Sequence, residues 1–179
     1  MANIPCRNSQ LNFAFKQIVH IFGNHKNRFM SYVQSIYHLV FTTYHRRPTI
    51  DLKYTADLYK VLGAQIMKLH CNPILINGVE DHVHVLFELN QSVALADFVR
   101  KLKSTSSLWM KQSGLFPLFE GWEREYGAFS VSYTHLNPVR EYVANQREHH
   151  KNNSLTDEYD RLILKAGLVK YVPPCKWHE

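Results

Sequence analysis

The clearest pattern along the chain is an alternation. From His82 to Leu89 the run HVHVLFEL sends Val83, Val85, Phe87 and Leu89 to one side of a strand and His82, His84, Leu86 and Glu88 to the other. One face is apolar; the other carries two imidazoles. Upstream, Tyr32 to Tyr44 (YVQSIYHLVFTTY) is rich in β-branched and aromatic residues and predicts a strand ending in the basic turn His45-Arg46-Arg47-Pro48. Between these strands Leu52, Ala56, Leu58, Tyr59, Leu62, Ile66 and Leu69 recur at three and four. That spacing predicts a helix over 51–69, broken by Asn72-Pro73. Ile74 to Val79 reads as a further strand, and Asn77-Gly78 with Glu80-Asp81 supplies the turn chemistry of a hairpin into the histidine strand.

Downstream, Ser92 is the expected N-cap of a helix from Val93 to Gln112, closed by Ser113-Gly114. Leu95, Phe98, Val99, Leu102, Leu108 and Trp109 are expected on its core side, with Arg100, Lys101, Lys103 and Lys111 on the other. A loop from Gly114 to Glu125 leads to a short strand, Tyr126 to Ser132. Asn137-Pro138 marks a helix start, Asn as N-cap and Pro at the first helical position, with the helix running to about Asn152. Ser154 opens a last helix through Ala166, halted by Gly167. The order β-α-β-β-α-β followed by two helices predicts an α+β, ferredoxin-like fold. Its four-stranded antiparallel sheet would carry two helices on one face. His82 and His84 would then stand on the open face. Residues 1–29 read as a poorly structured appendage or translated upstream sequence, 30–167 as the domain, and 168–179 as a tail.

Composition changes this picture little. The 179 residues suit one domain with a proper core, at 45% hydrophobic and 20% charged. A formal charge of +6 is compatible with a polyanionic partner without requiring one. Cys6, Cys71 and Cys175 form no C-x-x-C pair and no disulfide framework, which points to a reducing cytoplasm. No apolar run approaches the roughly 20 residues of a membrane span.

The candidate chemistry sits in two places. His82 and His84 are two apart on one strand, so their Cα atoms lie about 6.6–6.8 Å apart and both rings can reach one metal ion. Two ligands do not make a site, and the plain alternative is a histidine pair on a wet sheet face. The second place is the helix from Pro138. There Tyr142 and Gln146 are four apart and share a face, with His149 and His150 further along and Val139 and Val143 as an apolar stripe. Gln146 could offer an amide oxygen as a third ligand, with Tyr142 one turn away.

Taken together, SYVQSIYHLVFTTYHRRP, DHVHVLFEL, WEREYGAFSVS, and VREYVANQREHH followed by DEY resemble the single-tyrosine HUH transposases of the IS200/IS605 type, the IS200-like family. The resemblance runs from Ser31 to about Asp160. It implies that His82, His84 and Gln146 hold a divalent metal, Mg²⁺ or Mn²⁺, and that Tyr142 is the nucleophile. It further implies a single-stranded DNA substrate folded into a hairpin at the element's end, and a homodimer whose tyrosine helices complete each other's sites. Glu125 departs from the family pattern, where Gly is expected before YGAFS.

Arg46, Arg47, Arg100, Lys101, Lys103 and Lys111 could track a DNA backbone, and Tyr37, Tyr44 or Trp122 could stack on bases. Among competing tyrosines, Tyr126 and Tyr133 are expected to pack beside the fourth strand, and Tyr159 falls in the last helix. Two other functions stay open on the residues alone. One is a nucleic-acid-binding or regulatory ferredoxin-like protein without catalysis. The other is a metal-dependent hydrolase pairing the histidines with Glu88 or Asp81.

Overall fold

The computed structural model describes residues 33–149 and Leu164. The expected appendage 1–29, the helix from Ser154 apart from the helical Leu164, and the tail 168–179 lie outside the described residues. The element order is β1 (Ile36–Thr42), α1 (Thr55–Lys68), β2 (Asn72–Gly78), β3 (His82–Glu88), α2 (Leu95–Ser113), β4 (Gly127–Val131), α3 (Leu136–Ala144) and α4 (Gln146–His149). The strands form one four-stranded sheet in the order β2-β3-β1-β4, antiparallel at every pairing. This is the ferredoxin-like arrangement that the sequence predicts.

The alternation in β3 decides which face packs where. Val83, Val85 and Phe87 join Leu39 and Phe41 of β1 under α1 and α2, against Leu58, Leu62, Ile66, Phe98, Val99 and Leu102. Phe87 and Phe98 stack with centroids 4.1 Å apart. In α2 Met110 is fully buried while Leu108 stands 58% exposed, so Met110 takes the core position expected of Leu108. Gly114 closes α2 in the left-handed conformation at φ 69, as a glycine after a helix should.

Several boundaries differ from expectation. Ala94, not Ser92, precedes α2, and the Ser92 amide instead bonds the Asn90 side chain in the turn before it. Asn77-Gly78 belongs to β2, and the hairpin turns at Val79–His82, where the Val79 amide bonds the His82 carbonyl at 3.1 Å. Gly78 is needed for space: a Cβ there would lie 2.4 Å from the His82 carbonyl oxygen. Helix α3 starts at Leu136, after a 3-10 turn at Tyr133–His135, so Asn137 lies inside it rather than at its N-cap.

The second face of the sheet is not open. α3 packs over β2 and β3 and buries the side that carries the histidines.

Candidate active site

The register of the strands assembles the site. Val40 pairs with His84, Thr42 with His82 and His38 with Leu86, so His38, Val40, Thr42, His82, His84 and Leu86 share the face under α3. His82 and His84 are both fully buried, with ring centroids 4.9 Å apart. The wet sheet face of the plain alternative is therefore absent. Burying an imidazole is costly unless its nitrogens are engaged. For His82, Nδ1 lies 2.6 Å from the Asp81 carboxylate. For His84, Nδ1 lies 2.8 Å from Nε2 of His38, itself 2% exposed. Asp81 thus sits in the turn, as expected, but holds the ring of its neighbour. Glu88 sits at the far end of β3, about 20 Å along the strand from His82, so it cannot share a site with that histidine.

Tyr142 projects from α3 onto this pair. Its ring stands edge-on to His38 and His84, with centroids 6.1 and 6.2 Å away. Val143 beside it is fully buried. The helix does not run on to Asn152 as expected. It stops at Ala144, turns at Asn145 and resumes at Gln146. Asn77 on β2 meets the chain at this break. Its side-chain amide donates to the carbonyls of Val143 at 2.8 Å and Ala144 at 2.9 Å. Those carbonyls would otherwise accept from the next helical turn, and a side chain inserted into the ladder breaks it. Tyr142 and Gln146 therefore flank a break and do not share one continuous helical face. Gln146 is nevertheless fully buried, in a turn packed against β2. His149 ends α4, and His150 lies outside the described residues.

The next residue, Arg147, fastens that turn to α1. It donates to the Thr55 hydroxyl at 3.2 Å and lies against Tyr59. Burial pushes the Tyr59 phenol up to about 12, and the Arg147 charge opposes that shift.

The basic residues divide between two regions. The turn carrying Arg46 and Arg47 stands at the His82 end of the sheet. There the Thr43 hydroxyl donates to the carbonyls of Arg47 and, at 3.1 Å, Asp81. His45 and Arg46 both adopt positive φ, at 53 and 54, which turns the chain sharply there. Arg47 pairs with Glu120. Arg100, Lys101, Lys103 and Lys111 lie on α2, across the sheet from the histidines. Arg100 pairs with Asp97 at 2.9 Å. Lys103 donates to the backbone carbonyls of Glu123, Arg124 and Glu125, and its burial lowers its affinity for the proton against the pull of Glu123 and Glu125. That ammonium holds the loop before β4. Lys101 and Lys111 are exposed.

The aromatic candidates also separate. Trp122 packs against Phe41 and Phe119 and bonds Ser106, and Tyr37 stacks on Phe87 in the core. Tyr44 is the exposed one of the three, at 42%. Tyr126 and Tyr133 do not pack as expected; they are 38% and 71% exposed, because β4 is an edge strand and Tyr133 lies in the turn beyond it.

Sequence reasoning missed His38 and Asn77. The available signal for His38 was a lone imidazole inside an apolar strand run. Asn77 looked like a turn residue because it precedes glycine.

Comparison with one solved structure supports the fold. A candidate transposase from Deinococcus radiodurans R1 superposes with a TM-score of 0.51 at 24% identity, covering 68% of this chain and 97% of its own. A REP-associated tyrosine transposase, solved bound to a REP hairpin, aligns with a TM-score of 0.49 at 13% identity over 87% of this chain and 92% of its own. No curated protein matches the chain. Among the described residues no helix is long and apolar enough to cross a membrane. The family model described as "Transposase IS200 like" matches residues 31–146, a span that holds β1, both β3 histidines, Tyr142 and Gln146, and the chain belongs to the IS200-like transposase family.

Proposed function

We propose that the protein is a metal-dependent transposase that cleaves and rejoins single-stranded DNA through a 5′-phosphotyrosine on Tyr142, recognising hairpins at insertion-element ends. The observation that carries this reading is the Tyr142 ring standing edge-on to His84, 6.2 Å away, inside the family-matched span.

The donor set fits a divalent cation. Asp81 and His38 engage Nδ1 of His82 and of His84, which turns each buried Nε2 away from those bonds. Oε1 of Gln146 is equally buried. Gln146 is the third protein donor in this reading, and an amide oxygen suits Mg²⁺ or Mn²⁺. Bound there, the ion would neutralise charge on a non-bridging phosphate oxygen and orient the scissile phosphate.

The chain supplies the rest. Tyr142 Oη forms a bond to phosphorus as the P–O3′ bond breaks. The departing 3′ oxygen ends as a hydroxyl, with the tyrosine proton balancing it. The 5′-phosphate stays on Tyr142, so the energy of the broken ester is kept in the new one. Attack by another strand's 3′-hydroxyl on that phosphotyrosine reseals DNA and restores Tyr142. Burial of the histidines excludes bulk water, the competing nucleophile. Arg46 and Arg47, at the His82 end, suit the DNA backbone, and Tyr44 suits base stacking. Tyr142 meets the histidines of its own chain in the single protomer, and mixing variants separates cleavage in cis from a homodimer whose tyrosine helices complete each other's sites.

The test is incubation with single-stranded hairpin DNA and Mn²⁺, followed by a denaturing gel. A covalent protein–DNA adduct that vanishes in Tyr142→Phe is expected; an adduct that persists sinks the nucleophile assignment. Tight binding without cleavage under any metal would make the protein a binder. Mixing His84→Ala with Tyr142→Phe should restore no activity if cleavage is in cis, and restores it if cleavage is in trans.

A further inference from the structure

His38 does not need to be a histidine for packing. Its neighbours on the same face of β1 are Ile36 and Val40, and an apolar residue would fill the layer without the cost of burying an imidazole. It lies nearly parallel to His84, with centroids 5.1 Å apart at 21°, and its Nε2 is 2.8 Å from His84 Nδ1. Its own ring is flanked by Phe129 and the edge of Tyr142, with centroids at 6.2 and 6.1 Å. The two β3 histidines thus have the same Nδ1 arrangement with different partners: a carboxylate for His82, an imidazole for His84.

We propose that His38 is a positioning residue. Its Nε2 accepts the Nδ1–H of His84 and so fixes His84 in the tautomer whose Nε2 carries a lone pair. Which ring nitrogen holds the proton is set by the bond that the other makes. In water a neutral histidine prefers the proton on Nε2, the form that cannot ligate through that atom. The bond to His38 reverses the preference, and the strand pairing keeps both rings in place. The proposal rests on reading His84 as a metal ligand, but the tautomer itself can be observed without metal.

The experiment compares wild type, His38→Phe and His38→Gln. Phe keeps the ring volume and removes the acceptor; Gln keeps an acceptor oxygen. Long-range ¹⁵N–¹H NMR of the metal-free protein reads the His84 tautomer, calorimetric titration reads Mn²⁺ affinity, and the cleavage gel reads activity. Wild type should show the Nδ1–H form. His38→Phe should move the proton toward Nε2 and weaken Mn²⁺ binding by about 10–100-fold, and His38→Gln should recover most of that loss. Cleavage by His38→Phe should recover on raising Mn²⁺, with KM for DNA unchanged. A wild-type His84 protonated on Nε2 overturns the proposal, as does a His38→Phe protein with unchanged tautomer and Mn²⁺ affinity. Should His38→Phe fail to fold, the wild-type tautomer and the His38→Gln affinity decide. A wild-type protein with the Nδ1–H form that neither binds Mn²⁺ nor cleaves DNA keeps the positioning role and overturns the transposase mechanism instead.

Discussion

Asn77 is the latch between the sheet and the tyrosine helix, and replacing it with alanine tests that directly. The side chain makes two hydrogen bonds, at 2.8 and 2.9 Å, to the last carbonyls of α3. Each is worth about 0.5–1.5 kcal/mol net, so Asn77→Ala should cost about 1–3 kcal/mol. The loss should fall first on the docking of α3, because both acceptors belong to that helix. A 2 kcal/mol loss is roughly a 30-fold rise in the population of the undocked helix. Amide hydrogen exchange measures that population by segment. Amides of Arg140 to Ala144 should lose about 30-fold protection, while those of β1 and β3 lose much less. Asn77→Asp keeps the size but sets a carboxylate against two carbonyls, and should be at least as damaging. Protection that falls equally in helix and sheet, or does not fall in the helix, refutes the latch.

Gly78→Ala should destabilise the whole domain by about 1–3 kcal/mol, since its Cβ meets backbone that cannot swing aside; urea denaturation measures this, and an unchanged midpoint refutes the close packing. The Tyr59 phenol, held near 12 against an ordinary 10, makes a stability contribution that is fully present below pH 10 and is lost as pH rises toward 12. At about 1.4 kcal/mol per unit this is at most roughly 3 kcal/mol, so Tyr59→Phe should flatten the alkaline fall in urea midpoint between pH 10 and 12, and Arg147→Gln should push the phenol higher in an absorbance titration. Asp81→Ala should weaken Mn²⁺ binding by about 10–100-fold and lower stability by about 1–3 kcal/mol in urea denaturation, because it takes the carboxylate from the buried His82 Nδ1.

The alternation of β3 and the three-and-four spacing of α1 were enough to predict the α+β class and the face that becomes the core, because side-chain direction in a strand or helix follows from local geometry alone. Local turn chemistry was less reliable. Ser92 and Asn137 have the right residue types for caps, yet Ala94 and His135 precede the helices: the Ser92 amide bonds the Asn90 side chain, and a 3-10 turn at Tyr133–His135 leads into α3. Gln146 was singled out for helical spacing from Tyr142, and it is buried against β2 after a break in the helix at Asn145.

What the sequence determined by itself is which residues are the candidates for the site: two histidines on one face of a strand, a tyrosine, and a glutamine four residues on. What only the tertiary structure decided is how they are held. His38 meets His84 across 46 residues of chain, and Asn77 meets Val143 across 66. Such pairings come from strand register and from the seating of α3 on the sheet. A hydrogen bond between distant residues leaves no periodic trace in either segment, and it forms only after the sheet has brought them together.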